Sequence, residues 1–295
     1  MILGGFIMSE NKNIPLAKVI DPPRVDFEAE GMAYEADIVY ANLGGFDCKL
    51  DLFYSKTANK PMPVIVWFHG GGWSSEDLTR KYRPEQELAV LAREGFFIVS
   101  ADYRLIQQTP FPACLQDCKC VIRWVRAHAE KYGLDPDRVG VIGESAGGHL
   151  VALLGVTDGI AELEGDGPYQ EYSSRVQAVI PWYAPADMAG RTEGDRALAM
   201  AQRFCGTDDV QEADRIMKLM SPIRHMDRTD LPPFLFVHGN ADRLVPYQNS
   251  VDMCEKMKAN GMDAELVTVD GQGHGFFDGQ EYYEAMYAFF RRVLG

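Results

Sequence analysis

The run Arg138-Val139-Gly140-Val141-Ile142-Gly143-Glu144-Ser145-Ala146-Gly147-Gly148-His149-Leu150-Val151-Ala152-Leu153-Leu154 changes character in its middle. Its first five residues form a short apolar run that suits a buried strand, and its last seven suit a helix. Between them, Gly143-Glu144-Ser145-Ala146-Gly147 predicts a sharp strand-to-helix turn. Such a turn forces its serine into a strained backbone and crowds neighbouring chain, so small residues are needed two positions to either side. Gly143 and Gly147 meet that need. A helix that starts at the serine also aims free amides at any negative charge developing beside it. The pentapeptide alone is a weak signal; its strand and helix flanks strengthen it.

The same alternation extends in both directions. Short apolar runs at 64–68, 96–100, 139–142, 176–180, 234–237 and 266–269 suit strands covered on both faces. Helical patterns at 85–93, 113–132, 146–156, 248–260 and 281–293 lie between them. Residues 34–40 and 48–54 read as an antiparallel hairpin around Asn42-Leu43-Gly44-Gly45. The expected architecture is α/β, with a mostly parallel, doubly wound sheet of about eight strands that opens on this antiparallel hairpin. Residues 1–31, rich in Pro and charge and without a period, read as an N-terminal arm, and 32–295 as one domain. Segments 157–175 and 187–231 interrupt the rhythm. The second is long enough for a small helical lid over the carboxyl ends of the strands, where ligands bind in such sheets.

A serine hydroxyl is a poor nucleophile at neutral pH. It needs an imidazole to take its proton and a carboxylate to fix that imidazole's tautomer. Asp242 closes His238-Gly239-Asn240-Ala241-Asp242, directly after the apolar run 234–237, and is the candidate acid. His274 sits in Gly271-Gln272-Gly273-His274-Gly275-Phe276, after the run 266–269, and is the candidate base. His69-Gly70-Gly71-Gly72-Trp73 follows the run 64–68. The amides of Gly71 and Gly72, with that of Ala146, are the candidate oxyanion hole. His69, His128, His149, His225 and His238 are assigned packing or hydrogen-bonding roles, and Asp270 and Asp278 loop or cap roles. Trp73, Trp182, Tyr183, Val245 and Phe276 adjoin these segments and are candidate pocket residues. Chemistry of this kind requires neither metal nor organic cofactor.

With Ser145, Asp242 and His274 in this order behind the His-Gly-Gly-Gly turn, the chain resembles the α/β-hydrolase superfamily, in the esterase branch related to hormone-sensitive lipase, over about 35–293. The stretch from Phe111-Pro112 through Asp117-Cys118-Lys119, Ile122-Arg123-Trp124 and Asp135-Pro136-Asp137-Arg138 to Leu150 is similar to bacterial enzymes grouped with bifunctional acetylxylan and feruloyl esterases, as are Pro181-Trp182-Tyr183 and 237–242. The resemblance implies a serine carboxylesterase acting on short-chain or aromatic acyl esters of plant cell-wall carbohydrate. Two other readings stay open: an amide hydrolase of arylformamidase or peptidase type on the same triad, and a non-catalytic ligand sensor.

Composition bounds the partners. The 295 residues carry 43 acidic and 29 basic side chains, a net charge of −14, which disfavours nucleic acid and anionic membrane surfaces. The expected partner is a small-molecule or oligosaccharide ester, and a homodimer is the base-rate expectation for assembly. The apolar opening 1–8 lacks a basic lead and a small-residue cleavage site, and no later run reaches the roughly 18 apolar residues of a membrane span, so a cytoplasmic location is expected. Six cysteines are too sparse for a disulfide scaffold. Cys114, Cys118 and Cys120 fall in one predicted helix at spacings that cannot face a single ion.

Overall fold

A computed structural model describes residues 25–81, 84–189, 199, 202–275 and 281–295. Eight strands form one sheet: β1 Met32–Leu43, β2 Phe46–Ser55, β3 Met62–Phe68, β4 Phe97–Ala101, β5 Leu134–Glu144, β6 Ala178–Trp182, β7 Phe234–Gly239 and β8 Ala264–Val269, in the spatial order β1-β2-β4-β3-β5-β6-β7-β8. The β1–β2 hairpin is antiparallel, as the sequence predicts; β2 also pairs antiparallel with β4, and the remaining pairs are parallel. Burial follows position in the sheet. Central β4, β6 and β7 are buried at every residue, whereas edge strand β1 is largely open along its middle.

Alternate residues of β3 feed the two cores. Val64, Val66 and Phe68 join a cluster with α2 (Ala113–Ala127), α4 (Ala146–Val156) and α7 (Gln248–Ala259). Ile65 and Trp67 join another with α1 (Pro84–Arg93) and α8 (Glu281–Leu294). Helix α4 is buried on all sides, which explains its unbroken apolar sequence. The helix expected over 113–132 is in two pieces, because the chain leaves helical geometry at His128 (φ −106°, ψ 11°) before the short α3 (Ala129–Tyr132) ends on left-handed Gly133. Cys114, Cys118 and Cys120 are buried, and burial pushes the thiols of Cys114 and Cys120 up to about 12. Among the described residues no group of three or more His, Cys, Asp or Glu is arranged to hold a metal, and no helix is long and apolar enough to cross a membrane.

Of the expected arm, 1–24 lie outside the described residues; Phe27 stacks on Tyr34 with ring centroids 4.8 Å apart. Of the expected lid, 190–198, 200 and 201 lie outside them, and the remainder includes α6 (Val210–Leu219) and a 3-10 turn, Pro222–His225. Asp209 caps α6 by accepting the amides of Gln211 and Glu212. The other insertion, 157–175, holds the four-residue α5 (Ala161–Glu164) and is fastened to α2 by one carboxylate. Glu164 Oε1 accepts Lys119 Nζ at 2.6 Å and the Gly159 amide at 2.9 Å. Glu164 Oε2 accepts Ser174 Oγ at 2.7 Å and also pairs with Arg123. Lys119 is fully buried, so this pairing is what makes its charge tolerable there.

Helix α4 is fastened to the C-terminal end of α6 by His149, whose Nε2 donates to the Met220 carbonyl at 2.6 Å. The ring is fully buried, and burial pushes its pKa down to about 4 from 6.5. The unfolded chain therefore takes up this proton first. The contribution is complete above about pH 6.5 and disappears as the pH falls toward 4, an effect of about 3 kcal/mol.

Two stability measurements follow from these contacts. Glu164→Ala should cost about 3–5 kcal/mol in urea unfolding by stranding Lys119 and Arg123, and adding Lys119→Met to Glu164→Ala should recover the part that the buried ammonium contributes; equal losses with and without Lys119→Met would refute the account. His149→Leu should flatten the decline of the urea midpoint between pH 6.5 and 4.5, and a slope identical to that of the parent would remove His149 as its cause.

Candidate active site

Ser145 joins β5 to α4 with φ 50° and ψ −111°, a conformation rarely adopted by residues that carry a side chain. Its amide donates to the Trp182 carbonyl at 3.0 Å, and its carbonyl accepts the His149 amide at 2.9 Å. A Cβ at position 147 would lie 2.1 Å from the Phe68 carbonyl oxygen, and one at 143 would lie 2.6 Å from the Gly147 backbone. Strands β3 and β5 and helix α4 thus meet here at backbone contact, and a side chain at either glycine would push the helix off the sheet.

Two loops converge on this corner. Asn240, after β7, donates through Nδ2 to Asp270 Oδ1 at 2.8 Å and accepts the Gly271 amide through Oδ1 at 2.8 Å. The Ala241 amide donates to the Gln272 carbonyl at 3.0 Å. These bonds zip the loop after β7 to the loop after β8 and carry His274 over Ser145. His274 Nε2 lies 2.9 Å from Ser145 Oγ, and His274 Nδ1 lies 2.7 Å from Asp242 Oδ2. A carboxylate can only accept, so Nδ1 donates and Nε2 is left to accept from the serine hydroxyl.

The Asp242 side chain is fully buried, that of His274 one-fifth exposed. Asp242 Oδ1 accepts the amides of Leu244 at 2.8 Å and Val245 at 2.9 Å. Asp242 Oδ2 also accepts His238 Nε2 at 3.2 Å. Burial pushes the Asp242 carboxyl up, but the hydrogen bonds from His238, His274 and Val245, with the charge of His274, outweigh it and hold the carboxyl well below the usual carboxylate range.

The turn after β3 supplies the third part. Gly71 has φ 103°, and a Cβ there would lie 2.8 Å from the Ser75 Cβ, so the tight turn admits only glycine. The Gly71 carbonyl accepts the amides of Ser74 and Ser75 at 3.1 and 2.9 Å. Tyr103, beyond β4, donates its hydroxyl to the His69 carbonyl at 2.9 Å, while its ring stacks on His69 at 4.5 Å. Among the described residues, no hydrogen bond claims the amides of Gly71, Gly72 or Ala146. Unclaimed amides near a nucleophile are donors in waiting for an oxyanion. Farther along, buried Arg80 holds the segment after the turn by pairing with Asp37, Asp51 and Asp102.

The expected pocket residues fare unevenly. Trp182 is 1% exposed and packs under the sheet against Trp67 and Tyr282, so it is a core residue. Tyr183 is also buried (φ 35°); its ring meets His274 edge-on at 4.7 Å, and its hydroxyl donates to Glu144 Oε2 at 2.6 Å. It therefore backs the imidazole as a wall. Val245 is buried and contributes through its backbone, while Trp73 packs between His149 and Phe204 at 5.0 Å from each. Phe276 and Asp278 lie outside the described residues. Sequence reading missed Glu144 and Tyr103, and gave His238 a hydrogen-bonding role without its partners, which are Asp242, Val245 and Ser250. Glu144 alone carried a signal, as a charged residue inside a turn that must be crowded.

The family model described as BD-FAE matches residues 50–257. Esterase LipC of Mycobacterium tuberculosis is 31% identical over 220 residues, covering 74% of this chain and 54% of LipC. The chain spans about half the length of such curated relatives. Among solved structures, a truncated form of a carbohydrate esterase from gut microbiota superposes with a TM-score of 0.78 at 31% identity, covering 88% of this chain and 95% of that one. The propionate-bound esterase Est2 of the planctomycete Thermogutta terrifontis gives 0.70 at 30% identity, covering 89% and 92%. By its fold, by the match over most of its length and by these relatives, the chain belongs to the BD-FAE family, on the hormone-sensitive-lipase branch of the α/β-hydrolase superfamily.

Proposed function

We propose that the protein is a serine carboxylesterase that removes short-chain or aromatic acyl groups from carbohydrate esters. The observation that carries the reading is the unbroken chain from Ser145 Oγ through His274 to Asp242, at 2.9 and 2.7 Å, beside three unclaimed amides. Ser145 Oγ attacks the ester carbonyl while His274 Nε2 takes its proton. The oxyanion rests on the amides of Gly71, Gly72 and Ala146, at the N-terminus of α4. The protonated His274 then donates to the departing alcohol oxygen, leaving the acyl group on Ser145. Water enters and gives a proton to His274 Nε2 as its oxygen attacks the acyl carbon; the bond to Ser145 Oγ then breaks, His274 returns the proton to Ser145 Oγ, and the acid is released. Asp242 stabilises the imidazolium in both halves. The carbohydrate-esterase neighbour supports the alcohol side of this reading, and the propionate-bound neighbour a short acyl group.

Purified protein should release acetate from acetylated xylan oligosaccharide or ferulate from methyl ferulate, alongside p-nitrophenyl acetate and butyrate, with decanoate slower. Ser145→Ala should lose this turnover and its labelling by a fluorophosphonate while keeping its near-UV circular dichroism. Turnover undiminished in that variant would sink the nucleophile, and preference for a matched anilide would make the protein an amidase. Cleavage of p-nitrophenyl esters alone would remove the carbohydrate. Asp242→Asn should lower kcat about 10⁴-fold by offering His274 Nδ1 the wrong partner; a near-parental rate would move the acid elsewhere.

A further inference from the structure

We infer that His238 is a positioning residue of the site, a second imidazole that fixes the Asp242 carboxylate from behind; the inference rests on the ester-cleaving reading above. His238 ends β7, and its side chain is fully buried. Its Nε2 lies 3.2 Å from Asp242 Oδ2 and 3.0 Å from the Val245 carbonyl oxygen. Both partners only accept, so Nε2 carries a proton. Its Nδ1 lies 2.8 Å from the Oγ of Ser250, a fully buried residue of α7. A hydroxyl can donate, so Ser250 can supply a hydrogen bond to Nδ1 and favour the tautomer that points Nε2–H at Asp242.

The consequence is a carboxylate with every site filled. Oδ1 takes the amides of Leu244 and Val245, and Oδ2 takes His274 Nδ1 and His238 Nε2. A carboxylate has about four lone-pair sites, so Asp242 has no other orientation that satisfies its surroundings. Val245 closes the arrangement by giving its amide to Asp242 and its carbonyl to His238. The groups facing His238 are Asp242 on its own loop, Tyr183 after β6 at 6.5 Å between ring centroids, Tyr247 at 5.8 Å, and Ser250; His274 faces it across Asp242.

Removing the His238 donor should have two effects. The carboxylate gains freedom to turn from its productive angle, which lowers kcat. It also attracts the His274 proton more strongly, which moves the acid limb of the kcat/KM profile to higher pH. The experiment measures p-nitrophenyl acetate hydrolysis from pH 5 to 9 in the parent, His238→Leu, His238→Gln and Ser250→Ala proteins, with fluorophosphonate labelling of the parent as the reference. His238→Leu should lower kcat about 10–100-fold with KM within about twofold and shift the acid limb upward. His238→Gln, whose amide reaches the Nε2 position and keeps a donor, should recover most of that loss. Ser250→Ala, a small change to the fold, should lower kcat several-fold with the same direction of shift.

A parental kcat and acid limb in Ser250→Ala and in whichever His238 variants fold would overturn the inference. So would a His238→Gln protein as impaired as His238→Leu, since packing alone would then explain both. A parent that neither labels nor turns over would instead defeat the ester-cleaving reading, so the two failures are told apart.

Discussion

The backbone contact between Gly147 and the end of β3 is the constraint from which the site is built. With only 2.1 Å between a notional Cβ at 147 and the Phe68 carbonyl, helix α4 rests directly on the strand. That contact fixes where the helix begins, and the turn before it must absorb the geometry, which is why Ser145 sits at φ 50°. Strain of this kind persists only where the surroundings leave no alternative. Here α4 is buried on every side, and the Ser145 amide is held by the Trp182 carbonyl of β6. The glycine turn departs from the same Phe68-His69 pair, so Ser145 and the amides of Gly71 and Gly72 share one reference point.

The base and its acid reach that corner by a different principle. They ride on loops, and loops are positioned by polar bonds where glycine contacts are lacking. Asn240 ties the loop after β7 to the loop after β8, Tyr183 backs the imidazole, and the Asp242 carboxylate collects donors from three segments. The difference matters for energetics. A backbone contact tolerates no substitution, whereas a saturated carboxylate loses one donor at a time and degrades in steps. The nucleophile half of the site is therefore all-or-none, and the base half is gradable.

What could be read from the sequence divides along the same line. The strand, glycines and helix around Ser145 are contiguous, so local pattern was sufficient, and the alternation of apolar runs with helical periods yielded the sheet. Asp242 and His274 were legible because each follows its own strand. For His238 a hydrogen-bonding role was legible but its partner was not, because the chain folds back four residues later to bring Asp242 over its ring. Tyr103 acts across β4 and β3, a relation that no linear spacing expresses. Trp182 shows the opposite error: its carbonyl holds the Ser145 amide, yet its side chain packs away from the site against Trp67 and Tyr282. The break at His128 escaped notice because the apolar period continues through it.

The insertions obey neither rule. Segment 157–175 is attached through Glu164 to Lys119 and Arg123, and the segment after the oxyanion turn through Arg80 to three carboxylates from β1, β2 and the end of β4. Buried ion pairs of this kind contribute little net stability, since desolvation offsets attraction, but breaking one partner is costly. They act as fasteners that fix where a segment lies. Asp37, Asp51, Lys119 and Arg123 sit on β1, β2 and α2, whereas Asp102, just after β4, also lies 3.8 Å from His69 and so links the Arg80 segment to the glycine turn. Relatives at 30–31% identity superpose with TM-scores of 0.70–0.78.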